Sequence, residues 1–172
     1  MLAAGTGLRV VLCPVVMALV LTRSYTAAAV VFVIAAGTDW LDGRLARRWG
    51  VTTRFGAFLD TTADKLLVAS ALIALVAVHR VSPWVSLIIV GREFTILGLR
   101  VAVESGGRRF DTSMLGKWKA TVQFVAITLA ILRPDVIILH AYLDQWAMVI
   151  AAIVTAWSGI DYIVQFSAAL RS

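Results

Sequence analysis

Apolar residues dominate six stretches of the chain, 8–22, 25–43, 62–80, 83–103, 117–133 and 137–168, separated by brief polar breaks. A helix needs about 20 residues to cross roughly 30 Å of hydrocarbon, and the six stretches are read as six such crossings. The pattern predicts an all-α membrane protein, a bundle of six transmembrane helices with almost no chain left for a soluble domain. Turn-forming residues mark breaks at Thr22–Ser24, Arg80–Pro83, Ser105–Asp111 and Arg133–Asp135. Such short connections make successive helices antiparallel neighbours within a single domain, residues 1–172. The first stretch is expected to be a retained helix rather than a signal peptide. Arg9 is a thin basic start, no Ala-x-Ala-like cleavage site follows, and more spans come after it.

Composition strengthens this picture: 60% of the 172 residues are hydrophobic and 15% charged, with a mean hydropathy of +0.90, outside the range of ordinary soluble domains. The net charge of +6 is unevenly spread. Arg44, Arg47, Arg48 and Arg54 lie between the second and third stretches, Arg108, Arg109, Lys117 and Lys119 between the fourth and fifth, and Arg171 near the end. The opposite loops hold only Arg23, Arg80 and Arg133. Because basic residues stay on the cytoplasmic side, both termini and the two basic loops are expected to be cytoplasmic. The concentrated charge suits anionic headgroups or phosphorylated substrates. Nucleic acid is excluded as a partner, since the basic residues sit at span ends and no reading module is visible. Gly106-Gly107-Arg108-Arg109 lacks the Walker pattern and reads as a flexible loop. Cys13 stands alone, so neither an intramolecular disulfide nor a cysteine-based zinc site is available, and it reads as a packing residue.

Carboxylates change the picture most. Asp39 and Asp42 are three apart, with Gly43, Ala46 and Arg47 continuing the same helical face, and Asp60 and Asp64 are four apart on the next helix. The plain alternative is four span-end residues in water, each paired with a nearby arginine. Within a membrane, however, each carboxylate costs a few kcal/mol unless it faces a cavity or a partner. Crowded anions also require positive charge. An all-oxygen donor set points to two divalent cations, Mg²⁺ or Mn²⁺, rather than zinc or copper. Two hard cations at a membrane edge suit a diphosphate and an in-line displacement at phosphorus. Gly43, Ala46 and Gly56 fit either a bulky ligand near the backbone or close helix packing.

The run Asp39-x2-Asp42-Gly43-x2-Ala46-Arg47-x8-Gly56-x3-Asp60-x3-Asp64 resembles the full signature of the CDP-alcohol phosphotransferases. The resemblance implies a bundle of six transmembrane helices, usually dimeric, that moves a phosphatidyl group from CDP-diacylglycerol to an alcohol and releases CMP. It implies that Asp39 and Asp60 touch both metals, Asp42 the first and Asp64 the second, with Asp64 also the base for the attacking hydroxyl. Gly43, Arg47 and Thr53 fall at positions that contact the CDP moiety, with the small Ala46 and Gly56 in or beside the same volume. A planar guanidinium at Arg47 matches a diphosphate by binding two oxygens.

For the acceptor, GREFTILGLR (91–100) and LGKWKATVQ (115–123) place Arg92, Arg100, Lys117 and Lys119 near the cytoplasmic half of the fourth and fifth spans. The plain alternatives are an Arg92–Glu93 ion pair and interfacial snorkelling of Lys117 and Lys119. A phosphate on the acceptor would supply the counter-charge that Arg92 and Arg100 need inside a span. Together with TDWLDGRLAR and FGAFLDTTADKL, this pattern is most similar to the branch whose acceptor is sn-glycerol 3-phosphate. The same chemistry on phosphatidylglycerol or inositol phosphate is the alternative. A cation transporter is the remote one, since transport would favour polar groups near the midplane on broken helices. One departure stands out: the usual Asn-x-x-Thr-x-x-Arg start has Ala3 for Asn, with Thr6 and Arg9 matching. Either the start of the chain is altered or the nucleotide is met differently there, so Thr6 and Arg9 carry less weight as substrate contacts.

His79 and His140 fall near outer span ends and read as interfacial. The six tryptophans suit interface belts or lipid-facing packing. Asp144 is placed at or near the outer interface. Asp161, within the last span, is left between a basic partner in the acceptor pocket and a dimer contact.

Overall fold

The computed structural model describes the backbone over residues 2–49, 54–105 and 114–171, and side chains over 6–37, 56, 58–103 and 118–166. The described residues form six helices, α1 (Leu2–Leu21), α2 (Tyr25–Trp49), α3 (Arg54–Ala77), α4 (Pro83–Ser105), α5 (Met114–Leu132) and α6 (Leu143–Arg171). A ribbon of two short strands, β1 (Ile137–Ile138) and β2 (Ala141–Tyr142), precedes α6. The helical class and helix order follow the hydropathy pattern, but two boundaries differ in instructive ways.

The first difference lies around the acidic run. Helix α2 continues six residues beyond the apolar stretch to Trp49, and α3 starts at Arg54, eight residues before its own apolar stretch. Hydropathy marks where a helix becomes apolar, not where its hydrogen bonding begins. The second is a correction: residues 137–142, expected to be helical, form an antiparallel hairpin pairing Ile137 with Tyr142 and Ile138 with Ala141. Leu139 and His140 both have positive φ, 49° and 67°, as a tight two-residue hairpin turn requires. A short apolar run reads alike as strand or helix.

The chain divides into two compact units, Met1–Val81 with Ala130–Leu132, and Ser82–Leu129 with Arg133–Ser172. In the first, α1 is the common neighbour of α2 and α3. Val16, Val20, Phe32, Leu67, Leu72 and Leu75 are buried among alanines such as Ala28, Ala35, Ala63 and Ala71. These small side chains let the helix backbones approach, a mode of packing that holds without a hydrophobic gradient. Both α1 and α3 end in a left-handed residue, Arg23 and His79. Ser24 N–H bonds the Leu19 carbonyl and Arg80 N–H that of Leu75, closing the helix ends. The exposed His79 and His140 therefore both serve turns, where histidine tolerates positive φ better than most residues. Arg80 lies over the Tyr25 ring at 3.4 Å and donates to the carbonyls of Ala130 and Ile131. A cation there satisfies carbonyls that the end of α5 leaves open.

In the second unit α4 packs along α6, with Ile89, Ile96, Ile127, Met148 and Ala151 buried. Pro83 opens α4, where its missing N–H costs no helical bond. Asp144, expected near an interface, is fully buried and paired to Arg133 at 3.3 Å. By length and composition, Leu143–Phe166 of α6 can cross a membrane, while Thr6–Leu21, Tyr25–Gly37 and Trp118–Leu132 are shorter apolar helices. Trp84, Trp118 and Trp157 are largely exposed, whereas the side chains of Trp40 and Trp49 lie outside the described residues.

Candidate active site

Uninterrupted helix from Tyr25 to Trp49 sets Asp39, Asp42, Gly43 and Ala46 at i, i+3, i+4 and i+7, with Arg47 next to them in the chain. The side chains of this group, like that of Lys117, lie outside the described residues, as does all of Thr53. On α3, Gly56, Asp60 and Asp64 follow one another at single-turn intervals.

Asp60 is the best-defined member. Arg9 of α1, 1% exposed, sets Nη1 2.9 Å from Asp60 Oδ1 and also donates to the Asp60 carbonyl at 3.4 Å. Thr6, one turn earlier on α1, donates to the same Oδ1 at 3.2 Å. Thr6 and Arg9 of the first helix, given less weight because of the Ala3 departure, therefore both contact Asp60. Asp64 is more open, with Lys65 Nζ 3.2 Å from its Oδ2. Among the described residues no three His, Cys, Asp or Glu side chains gather as a metal cluster. Asp60 and Asp64 nonetheless fit a hard cation by their chemistry: oxygen donors one turn apart, each still about one-third exposed at 30% and 36%.

The basic group on α4 to α6 is a connected polar network inside the second unit. Lys119 donates to Glu93 Oε1, both residues 3% exposed, and Gln123 donates to the same oxygen at 3.2 Å and to Thr155 Oγ1 at 2.6 Å. Arg92 Nη1 lies 3.5 Å from Glu93 Oε1 and its Nη2 donates to Ser158 Oγ at 2.9 Å. The Arg92–Glu93 pair considered from sequence is thus present. Snorkelling is overturned for Lys119, which is buried and paired. Arg100 follows Arg92 by two turns of α4, roughly 12 Å along the axis. The Nε atoms of both arginines are buried without a hydrogen-bond partner among the described residues. Gln123, Thr155 and Ser158 were absent from the sequence-derived site, and Lys119 was weighed beside Lys117 but not carried into it. The spacing of Lys117, Lys119 and Gln123 in LGKWKATVQ could have found Gln123; nothing in the local sequence marks the α6 pair. Asp161, left open from sequence, accepts a hydrogen bond from Gln165 Nε2 at 2.9 Å.

A model of the CDP-alcohol phosphatidyltransferase family matches residues 4–157, from the first helix well into α6. The chain belongs to this family. It is 43% identical to the CDP-diacylglycerol–glycerol-3-phosphate 3-phosphatidyltransferase of Escherichia coli (strain K12), over 92% of this chain and 90% of that protein. Proteins of the same name from Shigella flexneri serotype 5b (strain 8401) and Shigella boydii serotype 4 (strain Sb227) match to the same extent.

Proposed function

We propose that the chain transfers the phosphatidyl group of CDP-diacylglycerol to sn-glycerol 3-phosphate, giving phosphatidylglycerophosphate and CMP. The observation that carries this reading is similarity along almost the whole of both chains to enzymes whose name states that donor and that acceptor.

Asp39, Asp42, Asp60 and Asp64 hold two divalent cations, Mg²⁺ or Mn²⁺, which when bound offset the diphosphate charge and acidify the acceptor hydroxyl. Arg9 and Thr6 fix the Asp60 carboxylate from one side and leave the rest of it open, which supports its use as a ligand. Arg47 grips the diphosphate, with Gly43, Ala46, Thr53 and Gly56 shaping room for the CDP moiety. Arg92, Arg100 and Lys117 hold the acceptor phosphate; two guanidinium groups within the apolar helix α4 call for an anion, which supports that role. Asp64 takes the proton of a glycerol hydroxyl. The freed oxygen attacks the phosphorus bearing diacylglycerol, the bond to CMP breaks, and CMP departs with the electron pair. One displacement completes the transfer, with no covalent enzyme intermediate.

The two compact units are read as one catalytic domain because a single family model runs through both. The setting is a six-span bundle in the cytoplasmic membrane, with termini and site facing the cytoplasm and two copies forming a dimer. Val11, Ile34, Ile73, Trp84, Ile153 and Trp157 are each more than half exposed. Such surface is costly in water and at home in lipid or against a second copy, which supports the setting. The test is CMP release by detergent-purified protein given CDP-diacylglycerol and Mg²⁺. Release that begins only when glycerol 3-phosphate is added supports the proposal; release that is independent of an acceptor contradicts it.

A further inference from the structure

Apart from the open reading of Asp161, helix α6 has no part in the sequence-derived site, yet one of its faces touches Arg92. Thr155, Ser158 and Gly159 lie at i, i+3 and i+4, and the first two are buried at 0% and 3% exposure. Ser158 Oγ accepts from Arg92 Nη2 at 2.9 Å. A Cβ built on Gly159 would stand 2.9 Å from Arg92 Cγ, 3.7 Å from its Nε and 3.9 Å from its Cδ. The conflict is with the stem of the arginine, close to its own backbone, so a side chain at 159 displaces Arg92 or the α6 backbone beside it. Gly91 and Gly98, both in α4, have open space where a Cβ would go. Of the described glycines Gly7, Gly37, Gly91, Gly98 and Gly159, the last alone has a specific partner where a Cβ would stand.

Arg92 Nη2 is fixed by Ser158, Nη1 faces Glu93, and the buried Nε has no hydrogen-bond partner among the described residues. Two contacts from different helices, with Ser158 of α6 and Glu93 of α4, set the plane of the guanidinium. We propose that Gly159 and Ser158 are positioning residues for Arg92: Gly159 gives the side chain passage across α6, and Ser158 sets the angle at which its guanidinium meets the phosphate monoester of the acceptor. This rests on the assignment of Arg92 to that phosphate made above. A guanidinium whose plane is fixed loses less freedom on binding an oxyanion than a mobile one.

The test is steady-state kinetics of the full-length enzyme with Gly159→Ala, Ser158→Ala and Arg92→Ala, together with each α6 change in the Arg92→Ala background. Gly159→Ala and Ser158→Ala are each expected to raise KM for glycerol 3-phosphate about tenfold, the weight of one hydrogen bond to a charged group, while KM for CDP-diacylglycerol stays within about twofold. In the Arg92→Ala background neither should raise the acceptor KM further. If Gly159→Ala does not fold, Ser158→Ala and its cycle with Arg92 decide alone. A raised acceptor KM in Arg92→Ala with none in the α6 variants overturns the positioning role and leaves the assignment of Arg92 standing. An unchanged acceptor KM in Arg92→Ala overturns that assignment and the inference with it. Equal rises in both KM values, or a loss of kcat alone, would show an ordinary structural role for α6 and overturn the inference.

Discussion

Arg9 Nη1 and Asp60 Oδ1 stand 2.9 Å apart, the arginine buried to 1% and the aspartate still 30% exposed. A cation fixed in the α1–α3 packing thus holds one carboxylate of the acidic group, with Thr6 on the same oxygen. Arg9→Ala leaves Asp60 without its ion-pair partner and removes a large buried side chain. Because Asp60 is partly open, the expected cost is about 1–3 kcal/mol, below that of breaking a fully buried pair. It is read as a lower midpoint of thermal unfolding in detergent, and Arg9→Lys should recover only part of it.

The acidic run was legible in sequence because its information is local. Spacings of three and four residues put Asp39 with Asp42 and Asp60 with Asp64 whatever the rest of the chain does. The partners of these groups were not legible, because they come from distant segments: Arg9 reaches Asp60 across 51 residues and Lys119 reaches Glu93 across 26. Lys119 has the composition of an interfacial lysine, and only the placement of Glu93 shows it to be buried. Ser158 and Gly159 are small residues in an apolar helix, with nothing in the local pattern to separate them from packing. The hairpin at 137–142 was hidden because Ile137 and Ile138 continue the hydropathy of α6.

Glu93 accepts from both Lys119 and Gln123 while Arg92 lies 3.5 Å away. Glu93→Ala strands a buried ammonium and is expected to cost about 3–5 kcal/mol. The double variant Glu93→Ala/Lys119→Ala should cost less than the sum of the single changes, by about 1–3 kcal/mol of coupling. Denaturation midpoints of the four proteins in one detergent check this, and strict additivity would separate the two residues energetically.

Asp64→Asn keeps the size and one oxygen of the side chain and removes its capacity to take a proton. Turnover is expected to fall by about 10²–10⁴-fold, with the unfolding midpoint close to that of the parent, since Asp64 pairs only with the adjacent, partly open Lys65 in the described contacts. Initial rates of CMP release measure it; activity within a few-fold of the parent would remove Asp64 from the base role.

Arg100→Ala removes a side chain whose buried Nε has no hydrogen-bond partner among the described residues. The fold should therefore lose little, and the acceptor KM should rise about tenfold or more with the CDP-diacylglycerol KM unchanged. Paired substrate titrations distinguish this from a change confined to CDP-diacylglycerol, which would place Arg100 on the nucleotide side.

Acceptor choice is measured by direct competition. The purified enzyme is given CDP-diacylglycerol, Mg²⁺ and equal concentrations of glycerol 3-phosphate, inositol phosphate and phosphatidylglycerol, and the lipid products are identified by mass. Phosphatidylglycerophosphate is expected as the dominant product, formed in step with CMP and abolished by chelation of the metal. A dominant product from inositol phosphate or phosphatidylglycerol would contradict the assignment of glycerol 3-phosphate as the acceptor.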